Sequence, residues 1–236
     1  MTKKLLINLI VLGLIPLTVL AGAVIFKDKQ YAWITLCIAV LACIPFFLAF
    51  ENGKTRVKEM MIIAVMVSLA VVGRIIFTPL PGFKPVTAIV VITAMYFGDE
   101  AGFLTGALSA VISDFYFGQG PWTPFQMFVW GLIGFIAGVI ADPLKRSRIL
   151  LGVYGIISGV LFSLLMDVWT VLWWDGAFTL TRYLAATVSA VRFTVVYAVS
   201  NVIFLLVLQK PIGKKLERIK DKYGMKKNLK LGIEIF

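Results

Sequence analysis

Four ionisable side chains stand where an apolar chain tolerates them least: Arg74, Asp114, Asp167 and Arg192 lie inside, or at the ends of, long hydrophobic runs. A charge in such a place faces the interior of a helix bundle or a watery cavity, and it usually takes a partner. Depth along the runs allows Asp114 to meet Arg74 and Asp167 to meet Arg192, and such pairs serve architecture or line a site. Two carboxylates could also act as the acid and base of an intramembrane aspartyl protease, but the Gly-x-Gly-Asp context of those enzymes is absent. Other catalytic patterns are missing too. The chain has no GxxxxGK[ST] loop, no GxSxG elbow and no histidine, and Cys37 and Cys43 are not in a CxxC spacing. Metal and haem sites therefore have almost no ligands to draw on, and no resident cofactor is expected. The chemistry these residues suggest is binding, not catalysis.

Three segments close to these charges carry the rest of the candidate site. They read "FTPLPGFKP" (77–85), "FGQGPWTPF" (117–125) and "WWDGAFTLTRY" (173–183). All are rich in aromatic residues, proline and glycine, and nearly neutral. An interfacial aromatic belt accounts for any one of Trp122, Trp173 and Trp174. It does not predict this density on one side alone, nor the company of Gln119, Thr123 and Gln126. Apolar walls with a few hydrogen-bonding groups make a small-ligand pocket. The candidate substrate-binding residues are Arg74, Phe83, Asp114, Gln119, Trp122, Thr123, Gln126, Asp167, Trp173, Trp174 and Arg192.

The elements that must position them follow from composition. Of 236 residues, 60% are hydrophobic and only 15% charged, and mean hydropathy is +0.95. Soluble domains carry roughly 25% charge. Eight apolar runs, 5–26, 31–50, 59–78, 85–98, 101–117, 124–141, 149–174 and 183–209, approach the ~20 residues that a helix needs to cross hydrocarbon, two of them being short. Lipid cannot satisfy open strands, so the fold is all-α, a polytopic membrane helix bundle. With both termini cytoplasmic, 17 of the 23 Lys and Arg fall on the inner side, and only Lys27, Lys29, Lys84 and Arg182 fall in outer loops. This orientation obeys the positive-inside rule and puts the three aromatic segments outside.

The opening "MTKKLLINLIVLGLIPLTVLAGAVIF" reads as an uncleaved first helix, a signal peptide being the alternative. Residues 1–58 then form two N-terminal transmembrane helices and a cytoplasmic connector, 59–209 a six-helix binding core, and 210–236 a basic tail beside the anionic inner leaflet. The net charge of +11 does not imply nucleic acid, since the tail interleaves only Tyr223 among its cations. Small residues four apart, at Ala64 and Ser68, Gly102 and Gly106, Gly134 and Gly138, Gly155 and Gly159, and Ala186 and Ala190, flatten helix faces for close packing within the chain or onto a partner.

The run "GRIIFTPLPGFKPVTAIVVITAMYFGDEAGFLTGALSAVISDFYFGQGPWTPFQMFVWGLIGFIAG" resembles the substrate-binding S components of energy-coupling factor (ECF) vitamin transporters of bacteria and archaea. The likeness extends over about 59–209, and "PVTAIVVITAMYFG" and "GQGPWTPFQMFVWGLIG" are its most specific parts. It implies a six-helix bundle in the cell membrane that captures a vitamin or cofactor precursor from outside. It also implies partners: one transmembrane coupling protein and two ABC-type ATPases, which alone use ATP. In the family the bundle topples to deliver its cargo, and a small-residue stripe on its first helix touches the coupling protein, which here falls on Ala64 and Ser68. The "GQGPWTPFQM" loop looks most like the cobalamin class, with riboflavin, a queuosine precursor and pantothenate as other substrates. A stand-alone secondary transporter is the alternative, but it calls for an internal repeat and midplane ion sites, of which Arg192 is the sole candidate.

Overall fold

The structure is a computed structural model, and it describes residues 56–120, 122–175 and 179–223, with Gly13, Leu17 and Leu41 besides. The two expected N-terminal helices lie outside the described residues. Seven helices follow in the described part: α1 Arg56–Ile76, α2 Val86–Phe97, α3 Asp99–Phe117, α4 Trp122–Val139, α5 Ala141–Arg146, α6 Arg148–Asp175 and α7 Leu180–Lys222. The bundle is all-helical, and α1, α4, α6 and α7 are long and apolar enough to cross a membrane.

Helix α2 is the hub. Its twelve residues, "VTAIVVITAMYF", are apolar on every side, and all twelve are buried. A helix that is hydrophobic all round belongs inside a bundle. At about 18 Å it is too short to span the ~30 Å of hydrocarbon. Gly98, at φ +97°, ends it in a conformation that other L-residues rarely adopt. Asp99 and Glu100 then open α3, placing negative charge at the positive end of its dipole. The short connector α5 follows the same rule, with Asp142 in its first turn and Lys145 and Arg146 in its last.

Glycines decide which helices touch. A side chain on Gly102, Gly106, Gly134 or Gly138 would run into the backbone of the facing helix or its entry, Gly102 against Gly134 and Gly106 against Trp130. Thus α3 and α4 lie backbone to backbone. On the other side, Gly155 and Gly159 admit the backbone of α7 around Asn201 and Ala198, and Asn201 Nδ2 donates to Gly155 O at 3.3 Å. Ala64 and Ser68, by contrast, are exposed on α1 in an apolar face with Met61, Val65 and Leu69.

The last helix does not stop where its apolar run ends at 209. It continues through Pro211 to Lys222, 43 residues in all, or about 64 Å. Gly213 and Leu216 are buried. Gly213 abuts the Tyr96 phenol, and Lys220 Nζ donates to Tyr96 O at 2.5 Å, a cation at the negative end of α2.

Candidate functional site

The site is built around Arg74, near the end of α1. It is 6% exposed, and its Nη1 lies 2.7 Å from Asp114 Oδ1 on α3 and also donates to Ser113 Oγ. The other carboxylate oxygen, Asp114 Oδ2, accepts the Thr123 hydroxyl at 2.8 Å. Thr123 Oγ1 in turn accepts the Gly120 N–H at 3.3 Å. A buried ion pair needs such extra hydrogen bonds to offset its desolvation. The arrangement ties the ends of α1 and α3 to the first turn of α4, with the 117–125 segment folded around it. Above the guanidinium, the rings of Phe117 and Trp130 lie 4.6 and 5.1 Å from Arg74 Cζ, within cation–π reach.

Lys84 comes to the same place from the segment between α1 and α2. Its N–H donates to Ser200 Oγ at 2.9 Å, and its carbonyl accepts from the same hydroxyl at 3.1 Å. One α7 side chain thus clamps the segment. Phe83 helps from the same segment, packing with Phe77 and Phe204 at 5.9 and 5.0 Å between ring centroids. The Lys84 ammonium is 5.4 Å from the Phe117 ring. Burial first, and the nearby Arg74 second, lower its pKa from 10.5 to about 8, against a smaller opposing pull from Asp114.

A cavity of about 220 Å³ opens beside these groups. Arg74 and Lys84 line one part of it, Gln126 and Trp130 come from α4, Phe162, Ser163, Met166 and Asp167 from α6, and Ala190, Phe193 and Tyr197 from α7. Trp130 and Phe162 stack at 5.2 Å with planes 23° apart, and Tyr197 meets Phe162 edge-on at 5.1 Å. A smaller chamber of about 20 Å³ continues past Lys84, Trp130, Phe162 and Tyr197 to Thr87 and Asn201, room for about one water. Three lining residues carry a buried polar atom with no hydrogen-bond partner among the described residues: Arg74 Nε, Gln126 Oε1 and Asp167 Oδ2. Buried polar atoms are rarely left so.

Of the residues singled out from sequence, Arg74, Gln126 and Asp167 line the cavity, while Asp114 and Thr123 stand behind Arg74. Gln119 turns back onto the preceding helix α3, donating to Val111 O at 2.9 Å. Trp122 and Trp173 join through Trp169, edge-on at 6.0 Å and stacked at 5.9 Å, in an aromatic ladder outside the cavity lining. The Trp174 side chain lies outside the described residues. The Asp167–Arg192 pair does not form: Arg192 is exposed, and among the described residues the Phe193 ring lies near its guanidinium, at 5.5 Å. Two residues of helix turn a side chain by about 200°, so with Ala190 at the cavity Arg192 points away from it.

Lys84, Trp130, Phe162 and Tyr197 were not expected. Their signal was helical spacing: Gln126 and Trp130 are four apart, Phe162 and Met166 likewise, and Ala190, Phe193 and Tyr197 follow a three-and-four pattern.

The model of one protein family, described as the ECF-type riboflavin transporter, S component, matches residues 54–218. No curated protein and no solved structure matches the chain. The matched region takes in all seven described helices except the last residues of α7, and with them the whole cavity. The chain belongs to the ECF-type riboflavin transporter S-component family, as a multi-pass membrane protein that serves as the substrate-binding subunit of a vitamin importer.

Proposed function

We propose that this chain captures riboflavin from outside the cell and presents it for ATP-driven uptake. The observation that carries the reading is the cavity between α1, α4, α6 and α7, with its parallel Trp130 and Phe162 rings. Riboflavin is a flat three-ring system with a polar edge and a hydroxylated side chain. Flat aromatic walls suit the rings, because stacking gains area and geometry together. The unsatisfied atoms of Arg74, Gln126 and Asp167 suit a ligand with both donors and acceptors. At about 220 Å³ the space is smaller than the usual small-molecule site, roughly 300–1,000 Å³. Cobalamin, ranked first from the loop sequence, is far larger than a flavin, and the family match gives it no support.

The rest of the reading follows the family. Helices α1 to α4, α6 and α7 act as the binding core, and the exposed Ala64 and Ser68 meet a transmembrane coupling protein that carries two ABC-type ATPases. Among the remaining expected site residues, Phe83 holds the Lys84 segment, and Trp122, Gln119 and Trp173 shape the outer rim. The positive-inside distribution supports cytoplasmic termini in a bacterial or archaeal cell membrane.

Riboflavin fluorescence supplies the test. The purified chain in detergent quenches it stoichiometrically and leaves cobalamin in free solution. In vesicles containing the coupling protein and ATPases, riboflavin uptake requires ATP. Binding of cobalamin but not riboflavin overturns the substrate, and uptake by the lone chain on an ion gradient overturns the importer class.

A further inference from the structure

The two aspartates inside the bundle have opposite circumstances. Asp114 is fully engaged, one oxygen by Arg74 and the other by Thr123. Asp167 is 8% exposed, lines the cavity from α6, and its Oδ2 has no hydrogen-bond partner among the described residues. No salt bridge reaches it there either. The Thr187 hydroxyl on α7 faces this carboxylate without closing a hydrogen bond of ordinary geometry to it, and it brings no charge. Arg74, the guanidinium of the cavity, is already neutralised by Asp114, and Lys84 sits beside Phe117, on the side where α1 and α3 end. The α6 and α7 wall therefore carries one uncompensated carboxylate.

Burying an unpaired carboxylate is costly. Hydrogen-bond donors from a ligand can offset that cost, and hydroxyl groups are such donors. Gln126 Oε1 is a second acceptor in want of a donor at the same cavity. An anion in this position would meet like charge, and like-charge juxtaposition at a binding site lowers affinity.

We infer that Asp167 is a specificity-determining residue: with Gln126 it receives the hydroxylated chain of the ligand, and it rejects ligands whose chain ends in a phosphate ester. This rests on the riboflavin reading. The ring's carbonyl edge then lies toward Lys84 and Arg74 Nε, whose donors are free to meet it. The subunit would thus select the free vitamin over its phosphorylated form by charge as well as by fit.

The test titrates three flavins against the intact chain: riboflavin, its 5′-phosphate, and lumiflavin, which has a methyl group in place of the hydroxylated chain. Asp167→Asn lowers the preference for riboflavin over the phosphate by about tenfold or more, while affinity for lumiflavin changes by less than about twofold. Asp167→Glu keeps the charge and retains the preference. Lumiflavin binding also reports whether each variant is folded. An unchanged preference in Asp167→Asn, or equal losses for lumiflavin and riboflavin, overturns the inference and leaves the riboflavin reading standing. A wild-type chain that binds none of the three overturns both.

Discussion

Arg74 Nη1 and Asp114 Oδ1 lie 2.7 Å apart in the interior, the guanidinium 7% and the carboxylate 0% exposed, and through them α1 is fastened to α3 directly behind the cavity. The pair leaves Arg74 Nε over for a ligand. Its charge, however, is already balanced, so its main contribution is to hold together the end of the cavity where α1 and α3 meet α4.

Removing one partner leaves the other buried and charged. Arg74→Met is expected to destabilise the protein by about 3–5 kcal/mol, whereas Arg74→Met with Asp114→Leu recovers much of that loss. Denaturation in mixed micelles measures both, and equal losses in the single and double variants would mean that the two charges are not coupled.

Gly106 and Gly152 offer a contrast in the same background. A Cβ at Gly106 meets the Trp130 carbonyl and the Gly131 nitrogen, both backbone, whereas nothing lies within 4 Å of one at Gly152. Backbone cannot swing aside as a side chain can. Gly106→Ala should therefore cost about 3 kcal/mol and weaken riboflavin binding by displacing Trp130 from the cavity wall. Gly152→Ala should gain roughly 0.5–1 kcal/mol from helix propensity and leave binding unchanged. Thermal midpoints and fluorescence titrations of the two variants decide it.

These cases mark how far the sequence was legible. Apolar runs pointed to α1, α2, α3, α4, α6 and α7 because lipid leaves the backbone no other solution. Glycines at 102, 106, 134, 138, 155 and 159 pointed to close packing without naming which helices meet. The apolar run stops at 209, yet the helix continues through Pro211, with Gly213 packed against Tyr96 and Leu216 buried. Depth placed Arg74 level with Asp114 and Asp167 level with Arg192, but depth says nothing of azimuth, and only the first pair faces inward. Trp130, Phe162 and Tyr197 were not legible as site residues from residue type, and helical spacing alone did not say which face they lined. An aromatic side chain in a span looks the same whether it faces a helix, a lipid or a ligand.

Lys84 gives the site a pH dependence of two opposite signs. With its pKa lowered from 10.5 to about 8, the folded chain holds fewer protons than the unfolded chain between those values. Stability of the empty protein therefore rises as pH climbs from about 8 toward 10.5, and below 8 the full cost of the buried ammonium is present. A ligand carbonyl that accepts from the ammonium favours the protonated form, so riboflavin affinity falls as pH climbs through about 8. Thermal midpoints and fluorescence titrations across pH 7 to 10 should run in opposite directions. Lys84→Met flattens both. A binding curve that is flat in the wild type would remove Lys84 from ligand contact.

Substitutions at Ala64 and Ser68 test the proposed coupling contact separately from ligand capture. Both are exposed on α1, in an apolar face that includes Met61 and Val65 and is remote from the cavity lining. Small residues four apart let a second helix approach closely, and a large side chain prevents it. Ala64→Trp should leave riboflavin affinity within about twofold, yet lower both co-purification with the coupling protein and ATP-driven uptake by about tenfold or more. Ser68→Ala keeps the face small and should retain assembly. Pull-down with the coupling protein, paired with flavin titration of the same preparations, reads the two effects independently. Loss of binding and assembly together would mean that this face supports the bundle itself, and unchanged assembly would move the coupling contact elsewhere on the protein.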